Sequence, residues 1–581
     1  MHHWTRSCVL ACSTLACAGD PAADDDVGDS DGADVEAGST SEGADASTGT
    51  DASTDASTDA STDASTDAST DASTDASTDS STSESETGEP TPACGDAPEI
   101  DYAVEFSTYL GGALDWEHAR DAAITAEGDL VIVGGTASGD FPATPGAYDT
   151  TFNTGGNQIG GHGQSDVFVA RFSPSGELLW ATYLGGPNYD RAYSVEIDPA
   201  GDVLISGRAG PGFPTTPGVF QTQYHGNDSG FYGIQNAFVA KLSGDGGTLM
   251  WSSFFGVAHL IRDFAVDEAG DLYVVMAHQT NSVTNPVPSW FGSAFANAYQ
   301  PTRTDSQESG VAKLRGDGSA VEWATWLGGS GAESSIGSIR VDDQGRPTLA
   351  FYSDSDDLPA TQGSSHGGGN DVFVARLSAD GSALEMGAYF GGSGNDAFET
   401  HALGLVGDEV IVAGFSDSPD LPTTNGAYQA SFGGTLDAFA AKLDQQGNIV
   451  AATYVGGSGS ESTDGLTVSS DGELLFTGET NSDDLPVTSG AFQATRGGSW
   501  DGFAIRLGPD LDQLRYGSYF GGPAHDNGRG ALLTESCAMV LVGASEGAGF
   551  PTVNAWQPDF AGGVDQWGNG DAYVMLLTPP G

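Results

Sequence analysis

From Phe106 to the C-terminus, apolar residues come in short alternating runs separated by turns rich in glycine, aspartate and proline, and the pattern recurs. In one unit Tyr193-Ser194-Val195-Glu196-Ile197 alternates apolar and polar positions, as a half-buried strand does. Asp198-Pro199-Ala200-Gly201-Asp202 then makes a turn, and Val203-Leu204-Ile205-Ser206 runs back. A long loop follows, then a third run over residues 237–242, a Gly244-Asp245-Gly246-Gly247 turn and a fourth run over 249–255. Four antiparallel strands in meander order predict one blade of a β-propeller.

Each unit is marked by an aromatic-hydrophobic-Gly-Gly step. The step reads Tyr109-Leu110-Gly111-Gly112, Tyr183-Leu184-Gly185-Gly186, Phe254-Phe255-Gly256-Val257, Trp326-Leu327-Gly328-Gly329, Tyr389-Phe390-Gly391-Gly392, Tyr454-Val455-Gly456-Gly457 and Tyr519-Phe520-Gly521-Gly522. Its first glycines lie 74, 71, 72, 63, 65 and 65 positions apart. Repeats of that length predict an all-β, seven-bladed propeller over residues 94–581. The chain starts on a run equivalent to a fourth strand (103–109) and ends on one equivalent to a third (572–577). The first strand should therefore complete the last blade.

Composition changes the picture at the N-terminus. Residues 1–16 read as a secretion signal, with Arg6 followed by a short apolar stretch that ends in small residues. Thr14-Leu15-Ala16-Cys17 is similar to a bacterial lipobox, which makes Cys17 the candidate lipidation site, with ordinary secretion as the alternative. Residues 17–93 are mostly Asp, Ser, Thr, Ala and Gly, with Asp-Ala-Ser-Thr repeating from Asp51 to Asp79. Such a segment has too little apolar surface to fold and should act as an extended, self-repelling tether. Cys8 and Cys12 leave with the signal, so Cys94 and Cys537 remain, in an oxidising compartment. A disulfide between them would lock the ring closure; two free thiols is the alternative.

The formal charge is -63, and setting aside the acids of residues 20–99 still leaves the repeat region near -41. That excludes nucleic acid and anionic lipid as natural partners. Cations, basic proteins and neutral glycans remain. No apolar run reaches 18 residues, so no transmembrane helix is expected.

The repeated signature has further parts. Asp140-Phe141-Pro142 with Gly146-Ala147-Tyr148 recurs as Asp420-Leu421-Pro422 with Gly426-Ala427-Tyr428, and as Asp484-Leu485-Pro486 with Gly490-Ala491-Phe492. Asp166-Val167-Phe168-Val169-Ala170-Arg171 recurs as Asp371-Val372-Phe373-Val374-Ala375-Arg376 and as Asp437-Ala438-Phe439-Ala440-Ala441-Lys442. Together these motifs resemble the bacterial SBBP-type β-propeller repeat family. The resemblance spans nearly all of residues 106–577; the third unit departs most, with Leu260-Ile261-Arg262 where the others carry an acidic loop. It implies an exported propeller and no particular reaction or ligand.

Candidate chemistry is acidic. Four residues after the second glycine of the step stand Asp190, Glu333, Asp396, Glu461 and Asp526, and in the first unit Asp115 and Glu117 flank that place. A ring of them at one mouth of the channel would suit calcium, the one candidate cofactor. Repetition in every unit argues instead for turn capping. The openers of the third strands (Asp166, Asn236, Asp371, Asp437, Asp501, Asp571) read as turn chemistry. Trp290, Phe291 and Phe295 on the longest loop are candidate contacts for sugar or protein, or else a small satellite core. The histidines are scattered one to a unit and show no metal-ligand spacing.

The expectation is therefore a monomeric, lipid-anchored surface propeller that binds a protein or glycan on its loop face and catalyses nothing. A polysaccharide hydrolase or lyase using paired carboxylates is the alternative from another class. A structural envelope protein without a discrete ligand is the third.

Overall fold

Seven antiparallel sheets follow one another around a ring, and each is the meander that the alternating runs predict. The computed structural model describes residues 101–156, 163–225, 227–228, 234–279, 291–304, 307–361, 363–564 and 570–579. The signal, the tether, Cys17, Cys94 and Trp290 lie outside the described residues.

Blades 1 to 6 begin, at the axis, with strands Glu117–Ile124, Arg191–Ile197, Phe264–Val266, Glu333–Val341, Asp396–Ala397 and Glu461–Val468. Their outermost strands are Leu178–Leu184, Leu249–Phe255, Val321–Leu327, Leu384–Phe390, Ile449–Val455 and Leu514–Phe520. In blade 5 the inner strand is interrupted and resumes at Leu403–Val406. The inner strands pack against one another in cyclic order, blade 7 against blade 1 included.

Blade 7 is composite. Asp526–Leu533, Met539–Ser545 and Asp571–Thr578 supply three strands, and Ala103–Leu110 from the start of the chain supplies the fourth. The two ends pair antiparallel from Ala103 opposite Thr578 to Leu110 opposite Ala572. The closing ladder is thus made by segments at opposite ends of the propeller sequence.

Between blades the inward faces interdigitate. One such layer packs Phe168, Tyr183 and Phe141 of blade 1 against Val540, Val542 and Val574 of blade 7. Tyrosines of the step also tie loops to strands. Tyr454 Oη donates to the carbonyl of Ser418 at 2.6 Å and accepts from the Leu421 N–H at 2.8 Å. Tyr389 and Tyr519 make the equivalent bonds with Ser355 and Leu358, and with Ser482 and Leu485. The Asp-Leu-Pro loops are thereby pinned to the neighbouring strand wherever the step carries a tyrosine; Phe254 and Trp326 of the other steps cannot make these bonds.

Candidate functional site

The repeated carboxylates face into their own blades. Asp396 accepts the Gly392 N–H at 2.6 Å and the hydroxyls of Ser416 and Ser418. Asp190 accepts the N–H groups of Gly186 (2.6 Å) and Gly210 (2.8 Å). Glu333 takes Gly329 N–H and the hydroxyls of Ser353 and Ser355; Glu461 takes Gly457 N–H and Thr480; Asp526 takes Gly522 N–H. In blade 1 the part is played by Glu117, which binds Gly112 N–H and Thr136, while Asp115 is exposed. Each side chain joins the turn before its strand to the end of the next strand. Local donors thus engage every one of them, as the turn-capping alternative requires. Among the described residues no three His, Cys, Asp or Glu side chains gather where a metal ion could be held.

Burial pushes these groups up: Asp190 and Glu333 to about 7, Asp396 and Asp526 to about 6, with the hydrogen bonds opposing. A second carboxylate sits beside each. Asp437 accepts from Gly433 and Gly434 N–H, and Asp501 from Gly497 and Gly498, as turn chemistry requires. The first glycine of the step lies between the two: a Cβ on Gly391 would stand 2.5 Å from the Asp371 carboxyl and 2.7 Å from that of Asp396.

The unusual chemistry lies on the axis, at positions that do not repeat. The inner strand of four blades slips register by one residue, skipping Arg120, Tyr193, Asp464 and Arg529. A bulge re-aims the skipped side chain, and here all four meet partners on other blades. Arg529 of blade 7 pairs with Asp464 of blade 6 at 2.6 Å, and Arg120 of blade 1 reaches the same carboxylate at 3.8 Å. Arg262 of blade 3 pairs with Glu399 of blade 5 at 3.0 Å. A glycine of the second strand makes the bulge possible by close approach: a Cβ on Gly478 would lie 1.8 Å from the Ser462 carbonyl, and one on Gly207 2.1 Å from that of Arg191.

His401 completes the plug from blade 5. Its Nδ1 is 3.3 Å from Asp263 and its Nε2 3.5 Å from Asp121. Arg340 also pairs with Asp263 at 3.0 Å. Burial would raise Asp263, but Arg340 and His401 hold it well below the usual carboxylate range. Near the rim His525 bridges Glu479 (2.9 Å) and Glu546 (3.3 Å); burial would lower it, yet the two carboxylates lift it to about 10.

Sequence reasoning passed over these residues because they break the repeat. The signal was nonetheless present. Three places after the blade carboxylate stand Arg120, Tyr193, Asp464 and Arg529, three different chemistries in an otherwise uniform frame. The histidines dismissed as scattered include His118, His401 and His525, all buried at or beside the axis. Conversely, the loop aromatics Phe291 and Phe295 are buried, not displayed. Phe295 stacks on Trp326 at 5.6 Å and Phe291 meets Phe255 edge-on at 5.3 Å, so they form a satellite core.

The surface has the opposite character. Among the described residues Arg315 is the one Lys or Arg that is mostly exposed. Most of the rest lie on the axis or pin hairpins from within, as Lys313 does against Asp267 (3.0 Å) and Asp271 (3.3 Å). Exposed carboxylates occur on every blade, among them Glu127, Asp245, Asp317, Asp380, Asp420, Asp484 and Glu535.

No family model matches this chain, and no curated protein matches it. Among solved structures it is similar to a protein of unknown function from Dyadobacter fermentans, at 11% identity and a TM-score of 0.36, covering 83% of this chain and 100% of that one. It is similar to the Pan2 WD40 domain of Neurospora crassa at 9% identity and a TM-score of 0.38, covering 83% and 98% of the two chains. The quinohemoprotein alcohol dehydrogenase of Comamonas testosteroni gives 9% and 0.38, covering 82% and 76%. Likenesses this distant carry no argument about what this chain does.

Proposed function

We propose that this chain is an SBBP-type propeller, exported and held at the cell surface by a lipid on Cys17. It acts there as a non-catalytic adhesion or scaffold module for a protein that presents a cationic surface. The observation that carries the reading is the segregation of charge: bases are drawn to the axis and into the hairpins, and carboxylates are left outside on every blade. Such a surface attracts cationic partners over a Debye length and repels anionic ones. The hydrolase or lyase reading is less favoured, because the carboxylates it would use are each engaged by the N–H groups of their own turns.

The closing strand supports a Cys94–Cys537 disulfide as part of this reading. Tyr102 Oη donates to the carbonyl of Cys537 at 2.9 Å, so the chain passes that turn eight residues after Cys94.

The test is binding of the purified full chain to surfaces coated with polylysine, with dextran or with heparin. Retention on polylysine that falls steeply with salt is expected. Retention on dextran with no salt dependence would move the partner to a neutral glycan.

A further inference from the structure

The carboxyl that opens a third strand belongs to one blade and the carboxyl that caps the following step to the next, so the pairs stand on the seams of the ring. Between blades 1 and 2 they are Asp166 and Asp190, both buried. The backbone ties them together. The Asp190 N–H donates to the Ser165 carbonyl at 2.7 Å, and Ser165 Oγ donates to the Asp190 carbonyl at 3.1 Å. The same strut sets Asp396 beside Asp371 (2.7 Å to the Asn370 carbonyl) and Glu117 beside Asp571 (2.6 Å to that of Gly570).

The two carboxyls of the first seam are engaged differently. Asp190 accepts one N–H on each oxygen, from Gly186 and Gly210, as an ionised group does. Asp166 takes its bonds on Oδ2, from the N–H and Nδ2 of Asn153 at 2.8 and 3.2 Å. Its Oδ1 is buried and accepts no hydrogen bond from the described residues. That oxygen is turned to the step: a Cβ on Gly185 would stand 2.2 Å from it, one residue before the N–H that Asp190 holds. A buried carboxylate oxygen without a donor is costly, whereas a protonated one becomes a donor itself.

The charges that act on Asp166 are Asp190 and Asp149, both acidic. Of the other titratable groups around the seam, Tyr183 donates its hydroxyl to the Ser138 carbonyl, and Arg191 passes Ser165 to reach His118. Burial, opposed by Asn153 and reinforced by the two acids, pushes Asp166 up to about 8. The seam of blades 2 and 3 shows which form fits. Ile261 stands there in the capping place, and the opener is the buried Asn236, whose Oδ1 accepts the His225 N–H at 2.7 Å. A neutral side chain of the same shape as a protonated aspartate therefore fills the opener's place.

We propose that Asp166 is a neutral acid in the folded protein, its Oδ1 proton shared with the Asp190 carboxylate across the seam of blades 1 and 2. The proton is taken from solvent on folding and returned on unfolding. The seams of Asp371 and Asp571 are built alike, with Oδ1 2.5 and 2.8 Å from where a Cβ on Gly391 or Gly111 would stand. Because the folded value lies above the unfolded one, roughly 3.9, the stability that this proton lends is whole in acid. It is lost as pH rises to about 8.

The experiment unfolds the full chain, Asp166→Asn and Asp190→Asn in urea at a series of pH values from about 5 to 9. Asn keeps the neutral shape, so the midpoint of Asp166→Asn should climb relative to the native one up to about pH 8 and then level off. In Asp190→Asn the charge that raises Asp166 is gone, and the native fall in stability should finish at lower pH. Infrared spectra in heavy water at pH 7 should show a protonated-carboxyl band in the native chain that Asp166→Asn weakens. A native-to-Asn difference that is constant with pH, with no change in that band, overturns the proposal and leaves Asp166 ionised. If Asp166→Asn does not fold, the band in the native chain and in Asp190→Asn at pH 8 decides. Its weakening by that substitution supports the shared proton, and its absence or constancy overturns it.

Discussion

His401 of blade 5 reaches across the axis and donates to the backbone carbonyl of Tyr193 in blade 2, 3.2 Å away. With Asp121 and Asp263 on either side, one imidazole connects blades 1, 2, 3 and 5. Burial would lower its pKa, but the two carboxylates outweigh it and lift the ring to about 9. A histidine raised in the folded state stabilises fully below its unfolded pKa, roughly 6.5, and loses that contribution as pH climbs through the folded value. The native chain should therefore become less stable between pH 6.5 and 9, by on the order of 3 kcal/mol from this residue. His401→Gln should be destabilised at pH 6 and show a flatter profile across that window, read by urea unfolding.

Asp396→Ala leaves the Gly392 N–H and the hydroxyls of Ser416 and Ser418 without their acceptor. Orphaned buried donors cost about 1–3 kcal/mol. The loss should be the same in EDTA and in calcium, and Asp526→Ala should behave alike. Thermal melts of both variants in the two buffers check this.

Gly478→Ala would place a Cβ 1.8 Å from the Ser462 carbonyl, behind the bulge that aims Asp464 at the axis. Neither backbone can yield without losing the register of the inner strand. Destabilisation of about 1–3 kcal/mol is expected, against little change for Gly292→Ala, whose Cβ position is open and whose φ is not in the left-handed region. Circular dichroism melts of the pair give the contrast.

The Cys94–Cys537 bond should appear as one cross-linked peptide in a non-reducing digest. Chain-entropy reasoning for so long a loop gives about 4–5 kcal/mol, less any strain. Reduction, or Cys537→Ser, should lower the melting temperature accordingly. A pair of free, alkylatable thiols would remove the lock from the account.

The blades were legible because each repeats one set of local rules: alternation for strands, Gly-Asp turns, and the aromatic Gly-Gly step whose tyrosine hydroxyls pin the preceding loop. The composite blade was legible from where the chain starts and stops in that cycle. The site was harder. Asp190 and its equivalents attract attention by repetition, yet repetition is what a structural pin produces. Arg120, Tyr193, Asp464 and Arg529 take their role from a one-residue slip in register, and nothing in alternation announces a bulge except the glycine opposite it. Arg262 and Glu399 meet only because the ring closes.

The account divides labour between repeated carboxylates that hold each blade and singular residues that fill the axis. The melting temperature of the folded domain in EDTA, in calcium and in magnesium at matched ionic strength tests that division most directly. Equal midpoints in all three are predicted. A rise of several degrees specific to calcium would contradict it, and would return Asp190, Glu333, Asp396, Glu461 and Asp526 to the role of ion ligands.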